Sequence, residues 1–260
     1  MVYKPVSASL RVLQVLEALN AIGPAGLTAI HKRTGIPKPT TLRMLETLHA
    51  AGFASYDAQK REFGVGLRSL ALSSGYNADD EIVTLAQPVV SRLRADLGWP
   101  SDIVVCRDDR LVIADTNARD ASFAVVRHRG RGSEIPFTIS ATGRAWLAFC
   151  DDETRKRLLR FERPHPEESD SLMKDPERLA TIIETTRRRG YGTQSGEFFS
   201  SEAGAGVPVF VHGVLRCCLN IVVARNAVSM EQIEERYVPR LQQAADEIAS
   251  KCEGASAGYA

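Results

Sequence analysis

Residues 27–65 read LTAIHKRTGIPKPTTLRMLETLHAAGFASYDAQKREFGV, and this stretch decides the fold of the N-terminal part of the chain. It predicts a short helix from Leu27 to about Thr34, a turn at 35–37 and a longer helix from about Pro39 to Ala51. A hairpin follows, with strands Phe53–Tyr56 and Arg61–Val65. Two helices joined by a tight glycine-containing turn are the unit that places its second helix in the DNA major groove. The pattern therefore predicts a winged helix-turn-helix.

The second helix separates apolar from polar residues. Leu42, Leu45 and Leu48 recur at spacings of three and form an apolar stripe, with Thr41 beside it, whereas Thr40, Arg43 and Thr47 lie on the other side. Arginine reads guanine with two hydrogen bonds, threonine offers a hydroxyl and a methyl, and lysines at the helix start and hairpin tip suit phosphates. The predicted DNA contacts are Lys38, Thr40, Thr41, Arg43, Thr47, Lys60 and Arg61. The alternative is a small helical domain with a solvated polar face. The helices, the turn and the basic hairpin occur in the right order for DNA binding, which we therefore favour.

Helices are predicted on both sides of this unit. Ser7 to Leu19 carries Val12, Val15 and Leu19 at helical spacing. Residues 66–79 predict a linker helix with a narrow apolar face that packs on its own domain or on the same helix of a second subunit. A dimer would hold two recognition helices about one DNA turn apart, as a palindromic operator requires. The predicted divisions are 1–65 for the DNA-binding domain, 66–79 for the linker, 80–253 for an effector domain and 254–260 for a flexible tail.

The effector domain shows an α+β pattern. We predict helices at about Glu81–Asp96, Arg144–Cys150, Asp151–Phe161, Pro176–Arg189 and Ser229–Cys252, and strands at Ile103–Arg107, Leu111–Asp115, Phe123–Arg127, Thr193–Phe199, Gly206–Val211 and Leu215–Ala224. This is an antiparallel sheet of about five or six strands flanked by helices. Such a sheet can enclose a small molecule on one concave side.

Composition is that of an ordinary globular protein, with 44% hydrophobic and 25% charged residues among 260. The net charge of +1 hides an asymmetry, because residues 1–79 carry an excess of basic side chains and the remainder is mildly acidic. A basic head on an acidic body fits a nucleic-acid module attached to another domain. No apolar run approaches the ~20 residues of a spanning helix, and the N-terminus lacks the pattern of a signal peptide, so we expect a cytoplasmic protein with no membrane partner.

Neither cofactor nor metal chemistry is indicated. The five cysteines show no metal-ligand spacing, and the adjacent Cys217 and Cys218 should point to opposite faces of a strand as buried free thiols. The sequence has no HExxH, GxSxG or phosphate-binding loop, and its five histidines are scattered. We therefore expect no enzyme activity, no metal site and no cofactor.

A candidate ligand site lies where a helix begins near Gly143. Exposed N–H groups at a helix start attract a carboxylate, and a glycine allows close approach. Trp146 follows one turn later, Asn220 is polar within an apolar strand, and a basic run covers 127–131. The predicted effector contacts are Ala141, Thr142, Gly143, Trp146, Asn220, Arg127 and Arg129. Alternatives remain open: core packing for the tryptophan, backbone partners for the asparagine and a solvated loop for the arginines.

The segments SLRVLQVLEAL, IPKPTTLRMLETL and IPFTISATGRAWLAFC resemble the IclR family of bacterial transcription regulators, over about residues 6–252. Within it, GWPSDI, RRRGYG and CCLNIVV are similar to activators of aromatic-acid catabolism, in particular of 3-(3-hydroxyphenyl)propionate degradation. The resemblance implies a dimer or tetramer with a GAF-like domain that senses a small carboxylate.

One departure from the family bears on the ligand. Relatives that hold glyoxylate or pyruvate carry Asp, Cys and Ser on the last strands, where this chain has small or apolar residues at 203–206 and 222–224. A larger, partly apolar effector is therefore expected. The second hypothesis is a DNA-binding regulator whose C-terminal domain only oligomerises.

Overall fold

Three helices followed by a hairpin make up the first of two compact units, Met1–Ala78 and Asp79–Ala260. The computed structural model describes residues 6–73, 81–123, 130–162 and 174–257 of the chain. The elements of the first unit are α1 (Ser7–Ile22), α2 (Leu27–Thr34), α3 (Lys38–Ala50), β1 (Ala54–Asp57) and β2 (Glu62–Val65). The two strands pair antiparallel, and the predicted winged helix-turn-helix is confirmed.

The core of this unit forms where the three apolar helix faces meet. Val15 and Leu19 of α1, Ile30 of α2 and Leu45 of α3 are fully buried together. Phe63 of β2 joins them and exchanges two backbone hydrogen bonds with Ala25, at 2.9 Å each. The hairpin is thereby fixed to the segment that joins α1 to α2.

Within the predicted linker helix, the described residues Leu67–Ser73 form a 3₁₀-helix. The Gly66 N–H and the Ser69 hydroxyl both donate to the Phe53 carbonyl, at 2.8 and 3.0 Å, so the start of the segment is tied to the hairpin. Leu67 is 83% exposed and Leu72 is 61% exposed. Residues 74–79 of the predicted linker lie outside the described residues.

The second unit is built on a six-stranded antiparallel sheet in the order β5-β4-β3-β8-β7-β6. Its elements in chain order are α4 (Glu81–Leu97), β3 (Asp102–Arg107), β4 (Arg110–Thr116), β5 (Glu134–Ile135), α5 (Ala141–Phe149), α6 (Asp152–Phe161), α7 (Pro176–Arg189), β6 (Gly192–Ser195), β7 (Glu202–Val211), β8 (Val214–Ala224), α8 (Met230–Gln232), a π-helix (Ile233–Tyr237) and α9 (Val238–Ala257). The predicted α+β architecture with helices flanking an antiparallel sheet is confirmed.

Two apolar cores lie on opposite faces of this sheet. Helices α4 and α9 bury their apolar sides on one face, and α5, α6 and α7 bury theirs on the other. Cys217 belongs to the first core and Cys218 to the second, as expected for neighbours on one strand. The five cysteines all lie within the described residues, and none of them forms a disulfide.

In three short segments the described structure and the predicted elements do not match. The two-residue strand β5 was not predicted, because so short an element has no readable alternation. The predicted strand Phe123–Arg127 falls mainly outside the described residues, and Phe123 itself lies in a bend. The final helix contains a π-turn and α9 continues through Ala257 into the predicted tail, since the alanines of this segment favour helix.

Helix α5 lies unusually close to the edge of the sheet formed by β6 and β7. A Cβ on Gly192 would come within 2.3 Å of the Ala141 carbonyl oxygen, and one on Gly206 within 2.8 Å of the Thr142 nitrogen. Only glycine fits at these two positions. The close contact brings the N-terminal turn of α5 directly over the strands β6, β7 and β8.

Candidate functional site

Helix α3 presents the side chains that sequence analysis assigned to DNA. Lys38, Arg43 and Thr47 are exposed, and Thr40 is half-buried. The Thr47 hydroxyl donates to the Arg43 carbonyl at 2.7 Å, which leaves its oxygen able to accept a hydrogen bond. These four side chains can therefore reach bases or phosphates from one helix.

Thr41 is a correction to the predicted contacts. It is fully buried, and its hydroxyl donates to the carbonyls of Ile36 at 2.9 Å and Pro37 at 3.2 Å. Thr41 therefore holds the turn between α2 and α3 in place and has no surface to offer DNA. Met44 is also buried whereas Leu42 is only half-buried, so the inward face of α3 is rotated slightly from the predicted leucine stripe.

The hairpin tip carries two exposed cations, Lys60 and Arg61. The Asp57 carboxylate accepts the N–H groups of Gln59 and Lys60, at 2.9 and 3.1 Å, and so shapes the turn. Arg61 has a φ of 54°, in the left-handed region. The tip is thus a tight basic turn, a form suited to a phosphate backbone or a minor groove.

The candidate effector site is a small cavity, partly open to solvent, between the start of α5 and the strands, with about 20 Å³ of enclosed space, room for about one water molecule. It is lined by Ile135, Ser140, Ala141, Thr142, Gln194, Phe198, Gly204, Asn220, Ile221 and Val222. Within the described chain, every polar side chain of this lining is an uncharged hydroxyl or amide.

The start of α5 provides hydrogen-bond donors to this cavity. Ser140 is the N-cap: its hydroxyl oxygen accepts from the Gly143 N–H at 2.9 Å and its proton goes to the Pro136 carbonyl at 2.6 Å. The N–H groups of Ala141 and Thr142 have no acceptor among the described residues. They line the cavity and remain available to an anion.

Gly143 has a different role from the one predicted. Its N–H is already used by the Ser140 cap, and a Cβ there would lie 2.4 Å from the carbonyl oxygens of both Pro136 and Phe137. The space freed by the missing side chain is filled by protein backbone, so this glycine packs α5 against the preceding loop and is not exposed to a ligand.

The aromatic wall of the cavity is Phe198 and not Trp146. Trp146, on α5, is buried in the core on the face of the sheet that α5, α6 and α7 cover, and it is absent from the cavity lining. The structure therefore shows core packing for Trp146, which was the alternative left open. Phe198 lines the cavity and stacks on Phe199, with ring centroids 4.4 Å apart. The local sequence gave no signal for this, because two adjacent phenylalanines in a loop do not reveal which one faces a cavity.

Two amides lie deeper in the site. Asn220 lines the cavity, but its oxygen accepts from the Asp102 N–H at 2.6 Å and its nitrogen donates to the Asp102 carboxylate at 2.9 Å. The Gln194 side-chain oxygen accepts a hydrogen bond from the Gly196 N–H at 3.1 Å, which orients the amide. The amide nitrogen has no acceptor among the described residues. Gln194, missed by sequence analysis, is thus the amide with more donor capacity left for a ligand.

The predicted arginine contacts cannot be placed, since Arg127 and Arg129 lie outside the described residues. Arg131, from the same basic run, pairs with the buried Asp115. The buried cation beside the cavity is instead Arg144, which donates to the carbonyls of Thr138 and Thr193, at 2.9 and 2.5 Å.

Arg144 also forms an ion pair with Glu197 at 2.9 Å. Burial lowers the pKa of the Arg144 guanidinium. Burial, the largest single effect, would raise the pKa of Glu197. The charge of Arg144 and the hydrogen bonds from the Ser195 N–H and from Arg144 together outweigh it, so the net pKa lies below the ordinary 4.5. The pair joins α5 to the loop that carries Phe198, so it holds two walls of the cavity together.

The described residues contain no group of three or more His, Cys, Asp or Glu side chains arranged to hold a metal ion. Among them, no helix is both long and apolar enough to cross a membrane.

The sequence matches two family models: the IclR helix-turn-helix domain over residues 10–58 and the C-terminal domain of bacterial transcriptional regulator IclR over residues 75–250. The chain belongs to the IclR family. The HTH-type transcriptional regulator KdgR of Escherichia coli is 23% identical over 95% of this chain and 92% of its own length.

Solved structures of IclR relatives agree with the fold. An IclR transcriptional regulator from Alicyclobacillus acidocaldarius is 26% identical, with a TM-score of 0.64 over 95% of this chain and 99% of that one. An IclR homologue from Microbacterium hydrocarbonoxydans, complexed with 4-hydroxybenzoate, is 21% identical, with a TM-score of 0.63 over 95% and 100% of the two chains. KdgR and the Alicyclobacillus protein both bear the name of transcriptional regulators. This chain is accordingly a DNA-binding transcription regulator of the IclR type.

Proposed function

We propose that this IclR-family regulator binds a palindromic operator as a homodimer or tetramer and senses an aromatic monocarboxylate in the cavity at the start of α5. By this proposal it controls an operon for aromatic-acid catabolism. Contacts to DNA come from Lys38, Thr40, Arg43, Thr47, Lys60 and Arg61.

The observation that carries the proposal is the set of unused donors in the cavity. The N–H groups of Ala141 and Thr142 and the side-chain nitrogen of Gln194 have no acceptor among the described residues. An acceptor-rich ligand would satisfy them, and a helix N-terminus favours negative charge. Because no described lining residue is a cation, one carboxylate fits better than a phosphate or a dicarboxylate.

The rest of the lining favours an apolar ligand body. Ile135, Phe198 and Val222 supply apolar surface. The side chains that would fix a two-carbon or three-carbon acid by hydrogen bonds are absent from 203–206 and 222–224. An aromatic ring placed against Phe198, with its carboxylate at α5, would use both parts of the cavity, and the cavity must widen to admit it because its enclosed space holds about one water molecule.

A thermal-shift titration tests the sensor. We expect 3-(3-hydroxyphenyl)propionate or 4-hydroxybenzoate to raise the Tm of the full chain saturably, by about 5–10 °C at a hundredfold excess over Kd. The corresponding amides, which lack the charge, and the small acids glyoxylate and pyruvate should have little effect. A flat response to every acid, in a folded and DNA-binding protein, would favour a C-terminal domain that only oligomerises.

Adjacent phenylalanines provide a matched pair of variants. Phe198→Ala and Phe199→Ala each remove a buried ring, but only the first residue lines the cavity. Both should lower the Tm, and only Phe198→Ala should also raise the Kd of an aromatic acid. Equal effects on the Kd would remove Phe198 from the site.

Operator binding is tested at Arg43. If Arg43 reads a base, Arg43→Ala should weaken binding to a duplex selected from a random pool by ~1–3 kcal/mol and relax the preference at one position. An equal loss on all sequences would indicate a phosphate contact. Arg11→Ala, which removes an exposed arginine from α1, is the charge-matched control and should have little effect.

Exposed apolar side chains on the first unit support self-association. Leu10 and Leu13 of α1 are 48% and 54% exposed, and Leu67 follows the hairpin at 83%. Paired copies would hide this surface and hold two α3 helices at the spacing of a palindrome. Light scattering on Leu67→Glu should show a smaller assembly than the native protein, and an unchanged mass would remove this surface from the interface.

A further inference from the structure

Residues 100–102, which we call the back-wall segment, comprise the last two residues of the connection from α4 and the first residue of β3. The Val222 N–H donates to the Pro100 carbonyl at 2.9 Å. The Asn220 side chain makes two hydrogen bonds to Asp102: its oxygen accepts from the Asp102 N–H at 2.6 Å, and its nitrogen donates to the Asp102 carboxylate at 2.9 Å. Both Asn220 and Val222 line the cavity, so a ligand that displaces either one acts on the back-wall segment.

Helix α4 holds the same segment from the other side. One Arg94 nitrogen donates to the Ser101 carbonyl at 3.0 Å, and another forms an ion pair with Asp115 at 2.7 Å. The side chains of Arg94 and Asp115 are only 12% and 2% exposed. Charge-assisted bonds away from water are strong and directional, so Arg94 ties the last turn of α4 firmly to the segment and to β4.

This network is not saturated. The Arg94 Nε and the Ser101 hydroxyl are buried without a hydrogen-bond partner in the described part of the chain. Unpaired buried donors raise the free energy of the arrangement that contains them. A second arrangement that pairs these atoms would therefore compete, and ligand contact with the segment could shift the balance between the two.

We propose that the route from Asn220 through the back-wall segment to Arg94 carries effector occupancy from the cavity to α4, and that Arg94 is its coupling residue. In chain order α4 is the first described element of the second unit, and Arg94 lies in its last turn. From Arg94 to the start of α4 is about 20 Å, so a tilt of about 3° moves that start by about 1 Å. The inference deepens the proposed function and rests on it.

Hydrogen exchange of the full chain tests the route without a ligand. Asn220→Ala removes the bonds to Asp102, whereas the control Gln194→Ala alters the same cavity without touching the back-wall segment. We expect peptides within residues 90–97 of α4 to exchange faster in Asn220→Ala and to be unchanged in Gln194→Ala. Equal changes in both variants, or no change in either, would overturn the proposal.

Arg94→Lys tests the coupling with 3-(3-hydroxyphenyl)propionate as the probe. Lysine keeps the charge but cannot bridge Asp115 and the Ser101 carbonyl with a planar fork. Arg92→Lys is the control, because Arg92 lies on the same helix in an exposed pair with Glu247. We expect Arg94→Lys to bind the acid within about twofold of native but to lose most of the ~5–150-fold effect of the acid on operator affinity.

The outcomes separate the two proposals. If the acid binds and Arg94→Lys keeps the full coupling, the relay is wrong and the sensor stands. If no acid binds the native protein, the proposed effector fails, and the exchange comparison alone decides the relay. Should Arg94→Lys not fold, Asn117→Ala loosens the same segment, since Asn117 accepts the Ser101 N–H at 2.8 Å; full coupling in that variant would also refute the relay.

Discussion

Replacing Gly143 by alanine tests whether this glycine packs α5 or makes room for a ligand. A Cβ would lie 2.4 Å from the Pro136 and Phe137 carbonyl oxygens, about 1 Å inside ordinary contact. Overpacking costs about 1–3 kcal/mol, and backbone neighbours cannot rotate away, so the upper half of that range applies. The higher helix propensity of alanine offsets up to about 1 kcal/mol. We expect a net loss of about 2 kcal/mol, or a Tm lower by about 4–8 °C.

Tryptophan fluorescence during urea denaturation isolates the effect, because both tryptophans, Trp99 and Trp146, lie in the second unit. Gly254→Ala is the matched control: this glycine lies in α9 with nothing within 4 Å of its Cβ position. The control should gain up to about 1 kcal/mol. If Gly143→Ala unfolds at the native midpoint or above it, the packing account is wrong and the space beside Gly143 is free.

Three further predictions follow from the same site. Ser140→Ala removes the cap of α5 and should cost about 1–2 kcal/mol in the same denaturation, whereas Ser140→Thr should retain most of it. The lowered pKa of Glu197 means that its pair with Arg144 stabilises the fold above the ordinary pKa of 4.5 and is lost as pH falls through the folded value. Glu197→Gln should flatten that part of the stability profile, which lies below about pH 5, and an unchanged slope would contradict it. Burial raises the pKa of Cys106 to about 11. Its alkylation by iodoacetamide at about pH 8, monitored by mass spectrometry, should therefore be ~100-fold slower than that of a thiol with the ordinary pKa of 9.0. Rapid labelling of Cys106 in the folded protein would refute this.

Sequence patterns located the helices well where local signals mark both ends. The bounds of α2 and α7 agree with prediction. Gly35 directly follows α2, Gly190 directly follows α7, and Pro176 is the first residue of α7. Amphipathic spacing also placed the winged helix-turn-helix and most strands to within a few residues. These signals are local and act within one or two turns of the chain.

The composition of the cavity could be predicted only in part, because it depends on contacts distant in sequence. Ala141, Thr142 and Asn220 were identified and do line the cavity. Gln194, on the strand β6, and Phe198, in the loop after it, were missed because nothing near them in the sequence indicates that they face the cavity. The sequence likewise cannot tell whether a glycine such as Gly143 leaves space for a ligand or for backbone.

The uncharged lining of the cavity has a consequence for the conditions under which the sensor would respond. Since no described side chain at its surface titrates near neutral pH, acidity would alter recognition mainly through the carboxyl group of the ligand. A typical aromatic acid is almost fully ionised above about pH 6. The affinity of the purified regulator for such an acid should then be the same from about pH 6 to about pH 8.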